Sequence, residues 1–218
     1  MKLILIFCIL IFFIISSCSQ PQNCVDNINK LPMYGRVKKC NEQIEADSDF
    51  LSGSDKLFKS RKDAAKHSVD RGWQYFYSKK LDTSMMRFNQ AWLLDSLNAD
   101  VYWGFGDLLG MQKKFKESIP FFERSIKINP TNAKVWGNAS TSYGNAFFQT
   151  KDVKYLNSAI YSLKKAIGLD PHNAQFYGQL TSAYCYFTQK DSARKYLRIT
   201  DQLDSNAINP ETRKILIK

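Results

Sequence analysis

The sequence predicts an all-α fold: about four stacked helix pairs with a capping helix at each end. Three observations carry that expectation. Residues 65 to 207 repeat a pattern of aromatic, glycine and small residues with a period of 34, and a fixed period of that length marks stacked supersecondary units. Within each period the apolar residues fall on one face of a helix rather than alternating as in a strand. Proline or serine closes each period, where a second helix must stop. At 218 residues, 44% hydrophobic and 23% charged, the chain suits one globular domain and excludes collagen-like, low-complexity and wholly disordered classes.

Residues 1–17 read as a secretory signal rather than as part of the fold. Lys2 precedes an unbroken apolar run from Leu3 to Ile15, which falls short of the roughly 20 residues that span a bilayer as a helix. Ile15-Ser16-Ser17-Cys18 resembles the bacterial lipobox, which implies cleavage before a diacylglyceryl-modified Cys18. Palmitate-like chains there would anchor the protein lastingly, at about 0.8 kcal/mol per buried CH₂. The implied address is the bacterial cell envelope, with the lipid membrane as one partner. Ser19 is not the aspartate that holds some lipoproteins at the inner membrane, so the expected side is the outer membrane.

Export leaves two readings for Cys24 and Cys40. They form either a disulfide across the turn Leu31-Pro32-Met33-Tyr34-Gly35, worth roughly 3 kcal/mol, or a pair of unpaired thiols in a flexible tether. Residues 18–41 lack periodicity and read as that lipidated tether with a small loop. Cys185 sits inside a helical pattern and reads as an inert thiol.

Ile44, Leu51, Leu57 and Phe58 give an N-terminal capping helix over about 42–58, within the region 42–64, which Gly53 is expected to interrupt. Ser60 with Asp63 reads as a capping box opening the first repeat. The repeat is clearest over 99–132, where Tyr102, Phe105, Gly106 and Leu109 precede Ser118, Phe122, Ser125 and Pro130. Small residues let two antiparallel helices approach, and large ones fill their seam. This pattern resembles the tetratricopeptide repeat, which implies a right-handed solenoid of helix-turn-helix units.

The same frame fits 65–98, with Ser68 and Ser96 departing from it, and 174–207, with Ser205 in place of proline. The period 133–173 is too long, and the excess is expected between its helices, around Thr150 to Lys154. Residues 208–218 supply a C-terminal capping helix: Asn209-Pro210-Glu211 reads as N-cap, first-turn proline and acidic first turn, and Ile215, Leu216 and Ile217 can cover the last repeat. The string Phe88-Asn89-Gln90-Ala91-Trp92-Leu93-Leu94-Asp95, with Tyr102-Trp103-Gly104-Phe105-Gly106 and the turn at Leu31–Gly35, is similar to an uncharacterised family of bacterial tetratricopeptide lipoproteins. That likeness implies an envelope protein and brings no reaction.

The repeat resemblance also implies that first helices line a concave groove. The positions facing it here include Trp73, Phe76, Tyr77, Trp103, Asp107, Met111, Lys134, Thr141, Asn145, Gln175, Ser182 and Tyr186. The four first helices carry Lys66, Arg71 and Lys134 against Asp70, Asp100 and Asp107, a net charge of zero. The excess of basic residues behind the net charge of +11 therefore lies elsewhere, on turns and second helices. A neutral groove with aromatic anchors suits a peptide or protein segment, which makes the chain a non-catalytic scaffold or adaptor. Stacking of the same rings on sugars, with hydrogen bonds from Asp107, Asn145 and Gln175, is the alternative reading, a glycan or cell-wall saccharide site. Val69 and Trp73 stand where a carboxylate-clamping repeat would carry Lys and Asn. With two histidines and no phosphate loop, nucleophile elbow or zinc spacing, no catalytic residue, metal or cofactor is expected. Nucleic acid is excluded as a partner by export.

Overall fold

The computed structural model describes residues 24–217. The signal segment and Cys18 lie outside the described residues. Among the described residues every regular element is helical: α1 (Asn41–Leu57), α2 (Arg61–Tyr77), α3 (Leu81–Leu94), α4 (Ala99–Met111), α5 (Phe115–Ile128), α6 (Ala133–Thr150), α7 (Val153–Leu169), α8 (Ala174–Tyr186), α9 (Lys190–Asp204) and α10 (Pro210–Ile217). Four pairs, α2–α3, α4–α5, α6–α7 and α8–α9, stack in chain order, with α10 against α8 and α9. No described helix is long and apolar enough to cross a membrane.

Two kinds of turn join the helices, and each has its own chemistry. Between pairs, Asn98, Asn132 and Asn173 are N-caps whose side-chain oxygens accept from the amides of Asp100, Lys134 and Gln175, at 3.0, 3.1 and 3.2 Å. Each cap satisfies one of the amides that a helix start leaves without a partner. Within pairs, Lys79, Lys113 and Thr188 adopt left-handed backbone, and the next residue's amide reaches back to Tyr75, Leu109 and Tyr184. That is the Schellman stop, here built without glycine.

The third pair differs. Its extra length does not form a loop at 150–154, as the sequence spacing suggested. It is absorbed by α6, of 18 residues against 13 in α4, and by α7, of 17 against 14 in α5. Lys151 alone turns left-handed, and Asp152 caps α7 through the Lys154 amide at 2.9 Å. Longer helices add intrahelical hydrogen bonds at every residue, which a loop would forgo. In the same way α1 runs through Gly53 unbroken, because a single mid-helix glycine costs only about 1 kcal/mol.

The core runs along the stack as successive clusters. Phe88, Phe105, Val101 and Leu108 join the first two pairs. Phe122, Val135 and Ala139 join the second to the third. Leu163, Phe176, Leu180 and Leu197 join the third to the fourth, where Ile208 and Leu216 close the end. Close helix approach sets where small residues are needed. A methyl on Gly104 would stand 2.3 Å from the Phe88 ring, and one on Gly178 would stand 2.0 Å from the Ala207 carbonyl oxygen.

Residues 24–40 are not a tether but a packed part of the fold. Met33 and Tyr34 are buried, and the Asn89 side chain on α3 holds the segment. Its Nδ2 donates to the carbonyls of Asn29 and Leu31, at 3.0 and 2.9 Å, and its Oδ1 accepts from the Tyr34 amide at 3.4 Å. Asn89 is fully buried, so these backbone groups are its substitute for water. A disulfide joins Cys24 to Cys40, with their Cα atoms 5.2 Å apart. It fastens the segment to the start of α1, where the Cys40 amide donates to Gln43 Oε1 at 3.2 Å.

Candidate functional site

The first helices of the stack create a concave cleft of about 560 Å³. Phe76 and Tyr77 come from α2, Trp103, Asp107 and Met111 from α4, Lys134, Asn138 and Thr141 from α6, and Gln175 and Gln179 from α8. Four helices thus meet on one wall because each pair repeats the placement of its predecessor. Tyr77 is 72% exposed and Met111 45% exposed, so both offer apolar surface that the fold itself does not use.

Trp73 is the exception among the predicted aromatic anchors. It packs edge-on against the buried Phe88 at 5.2 Å, stacks on Tyr77 at 6.1 Å and tilts onto Trp103 at 4.7 Å. Its ring is held by neighbours from α2, α3 and α4 and does not line the cleft. Trp103 serves both purposes, with one face on Trp73 and the rest on the cleft wall.

Asn145, Ser182 and Tyr186 line a second cleft, of about 360 Å³, that meets the first at Thr141 and Gln179. It exists because α6 is long: Phe147 and Phe148 lie beyond the point where α4 ends, and Phe148 meets Tyr186 edge-on at 4.8 Å. The Asn145 amide donates to its own helix at the Thr141 carbonyl, 2.8 Å away. The predicted groove residues are therefore divided between two connected hollows rather than arrayed in one.

The electrostatic centre of the larger cleft is Asp107. Both of its carboxylate oxygens accept from Asn138 Nδ2, at 2.8 and 3.0 Å, across the α4–α6 boundary. Burial pushes its pKa up to about 7, and the bond from Asn138 offsets only part of that cost. The indole N–H of Trp103 also favours the carboxylate electrostatically, yet it is buried and closes no hydrogen bond of good geometry. The cleft thus holds a buried carboxyl, disposed by its burial toward the neutral form, beside a buried indole N–H.

Asn138 and Gln179 escaped the sequence reading, which placed groove residues by repeat offset. Gln179 accepts from the Ser140 hydroxyl at 3.2 Å, tying α8 to α6. The Asn-Ala steps at 98, 132 and 173 were a readable cap signal for where each first helix begins.

Residues 99–132 match the tetratricopeptide repeat family. The tetratricopeptide repeat-containing protein trd-1 of Caenorhabditis elegans is 24% identical over 176 residues, 78% of this chain. The match covers 20% of that relative's length. Among solved structures, pilF of Pseudomonas aeruginosa superimposes with a TM-score of 0.59 at 16% identity, over 72% of this chain and 67% of its own. A crystal structure of MamA gives 0.57 at 17% identity, over 78% and 97%. The first tetratricopeptide domain of Spaghetti (RPAP3), bound to the HSP90 peptide SRMEEVD, gives 0.52 at 16% identity, over 58% and 95%. At these identities the likeness shows the fold, an all-helical tetratricopeptide solenoid.

Proposed function

We propose that the protein is a non-catalytic adaptor of the bacterial cell envelope, anchored through acylated Cys18, that holds a peptide or protein segment in its concave cleft. The observation that carries the reading is the exposed pair Tyr77 and Met111, which line the same cleft as Trp103 on a wall built by four helices. Large, flat side chains with a polar tip are the usual anchors of such contacts, since they bring area at small entropic cost. A peptide-bound domain of the same fold, that of Spaghetti with its HSP90 peptide, supports the use of this kind of surface. Val69 and Trp73 replace the clamp residues expected for a C-terminal carboxylate, so the ligand here is read through aromatic contact instead.

The test is photo-crosslinking in cells from a probe at position 77, followed by mass spectrometry. A discrete protein adduct is expected, and it should fall at least tenfold in Met111→Ala while helical circular dichroism is unchanged. Met111 is chosen over Trp103 because Trp103 also packs on Trp73. Capture of saccharide, or of this chain's own helices alone, would overturn the reading. Anchoring is tested separately by metabolic palmitate labelling, which Cys18→Ala should abolish. Label retained in that variant would remove the lipid from the proposal.

A further inference from the structure

A third hollow lies away from the concave face, where the segment 24–40 rests on the second helices. It has a volume of about 630 Å³ and is walled by Met33, Trp92, Tyr102 and Phe121, with Arg36 and Arg124 on opposite elements. That volume is within the range of about 300–1,000 Å³ of small-molecule sites. No carboxylate lines it.

The polar atoms of its aromatic wall are already satisfied. Trp92 Nε1–H donates to Tyr102 Oη at 3.3 Å, and Tyr102 Oη–H donates to the Ser96 carbonyl at 2.8 Å. The two guanidiniums are exposed to water and have no carboxylate partner among the described residues. Arg61, Arg194 and Arg213 each pair with an aspartate. Among the described residues Arg36 meets only Met33 Sδ, at 4.0 Å, and Arg124 only lies over the Tyr102 ring, at 5.7 Å. A guanidinium fork is shaped to receive a planar oxyanion in two parallel hydrogen bonds.

The placement of Arg36 is costly. Met33, Tyr34, Gly35 and Arg36 all have φ between 52° and 67°, and left-handed backbone costs a non-glycine residue roughly 1–2 kcal/mol. Asn89 and the disulfide hold the turn in place. That turn puts Met33 on the cleft floor and Arg36 beside it.

We propose that this hollow is a second binding site, for a ligand that joins a carboxylate to a flat apolar body. The carboxylate meets Arg36 and Arg124, and the body lies against Trp92, Tyr102 and Phe121. The site is independent of whether the concave cleft is occupied.

The test is a titration of the disulfide-intact protein with 2-naphthoate and with neutral 2-naphthamide, followed through the Trp92 indole N–H signal in NMR. Naphthoate should shift that signal and bind at least tenfold more tightly than the amide. Arg124→Gln, an exposed change on α5, should cut the preference at least threefold, and the double variant with Arg36→Gln should abolish it. Equal binding of the two probes, or a preference that survives the double variant, would overturn the proposal. N-acetyl-Phe-Glu-amide, compared with its Gln counterpart, identifies the source. Tighter binding than naphthoate assigns the site to an acidic segment of a protein, and weaker binding assigns it to a free aromatic acid.

Discussion

The second and third repeats begin alike and end differently. Each opens on an asparagine cap, Asn98 or Asn132, and each buries small residues where its two helices cross. The second keeps the 34-residue period and packs so tightly that Gly104 and Gly106 lie against the rings of Phe88 and Phe122. The third packs Gly137 against Phe176 in the same way but spends its extra residues on longer helices, and a methyl on Gly144, further along α6, would meet nothing within 4 Å. The second repeat supplies the wall with Trp103 and Asp107, and the extended end of the third supplies the second hollow with Phe147 and Phe148. Repetition builds the scaffold, and departure from it creates the space beside the wall.

The contrast is sharpest in glycine substitutions. Gly104→Ala should destabilise the protein by about 2–3 kcal/mol, because Phe88 is fully buried between Trp73 and Phe105 and has nowhere to turn. Gly144→Ala should instead stabilise it by about 0.5–1 kcal/mol through helix propensity. Urea unfolding of both variants checks the pair, and equal effects would mean that the two positions are packed alike.

The boundary between the two repeats should be sensitive to pH through Asp107. Its folded pKa, about 7, lies above the ordinary carboxylate value of 3.8. The folded state therefore favours the protonated form. The resulting stability is complete below about pH 4 and is lost as pH rises through 7. Asp107→Asn should flatten this slope, and the wild-type protein should lose roughly 2 kcal/mol more than the variant between pH 5 and pH 8. Thermal melts across that range measure it.

The smallest expected effect distinguishes the turns. Lys113 and Lys151 both hold left-handed backbone, so replacing either by glycine should gain about 1 kcal/mol. The Lys113 turn is also fixed by the Lys114-to-Leu109 hydrogen bond at 2.9 Å, whereas the Lys151 amide reaches only Phe147, at 2.7 Å. Amide hydrogen exchange should be slower at residue 114 than at residue 152.

Where the sequence could be read follows the same division. The helix pairs were legible because small and large residues recur at fixed offsets, and burial enforces that order at Gly106, Phe122 and Ser125. The first-helix positions that line the cleft, Met111 and Gln175 among them, follow from the resemblance to the tetratricopeptide repeat and not from that spacing of small and large residues. Trp73 was misassigned to the cleft since its contacts to Phe88 and Trp103 depend on neighbouring helices that periodicity does not describe. The packing of 24–40 left no periodic trace. It rests on one buried amide, Asn89, meeting backbone carbonyls nearly sixty positions earlier in the chain. Such a contact uses groups that every residue carries, so only the fold reveals it.

The reach of Asn89 also determines where the folded unit begins. A protein trimmed to its repeats, starting at Arg61, would open that amide to solvent and uncover the apolar side of α3 that Met33 and Tyr34 protect. Material for binding studies should therefore keep the chain from Cys24 onward and be produced under oxidising conditions, so that the Cys24–Cys40 disulfide and the contacts of Asn89 are present.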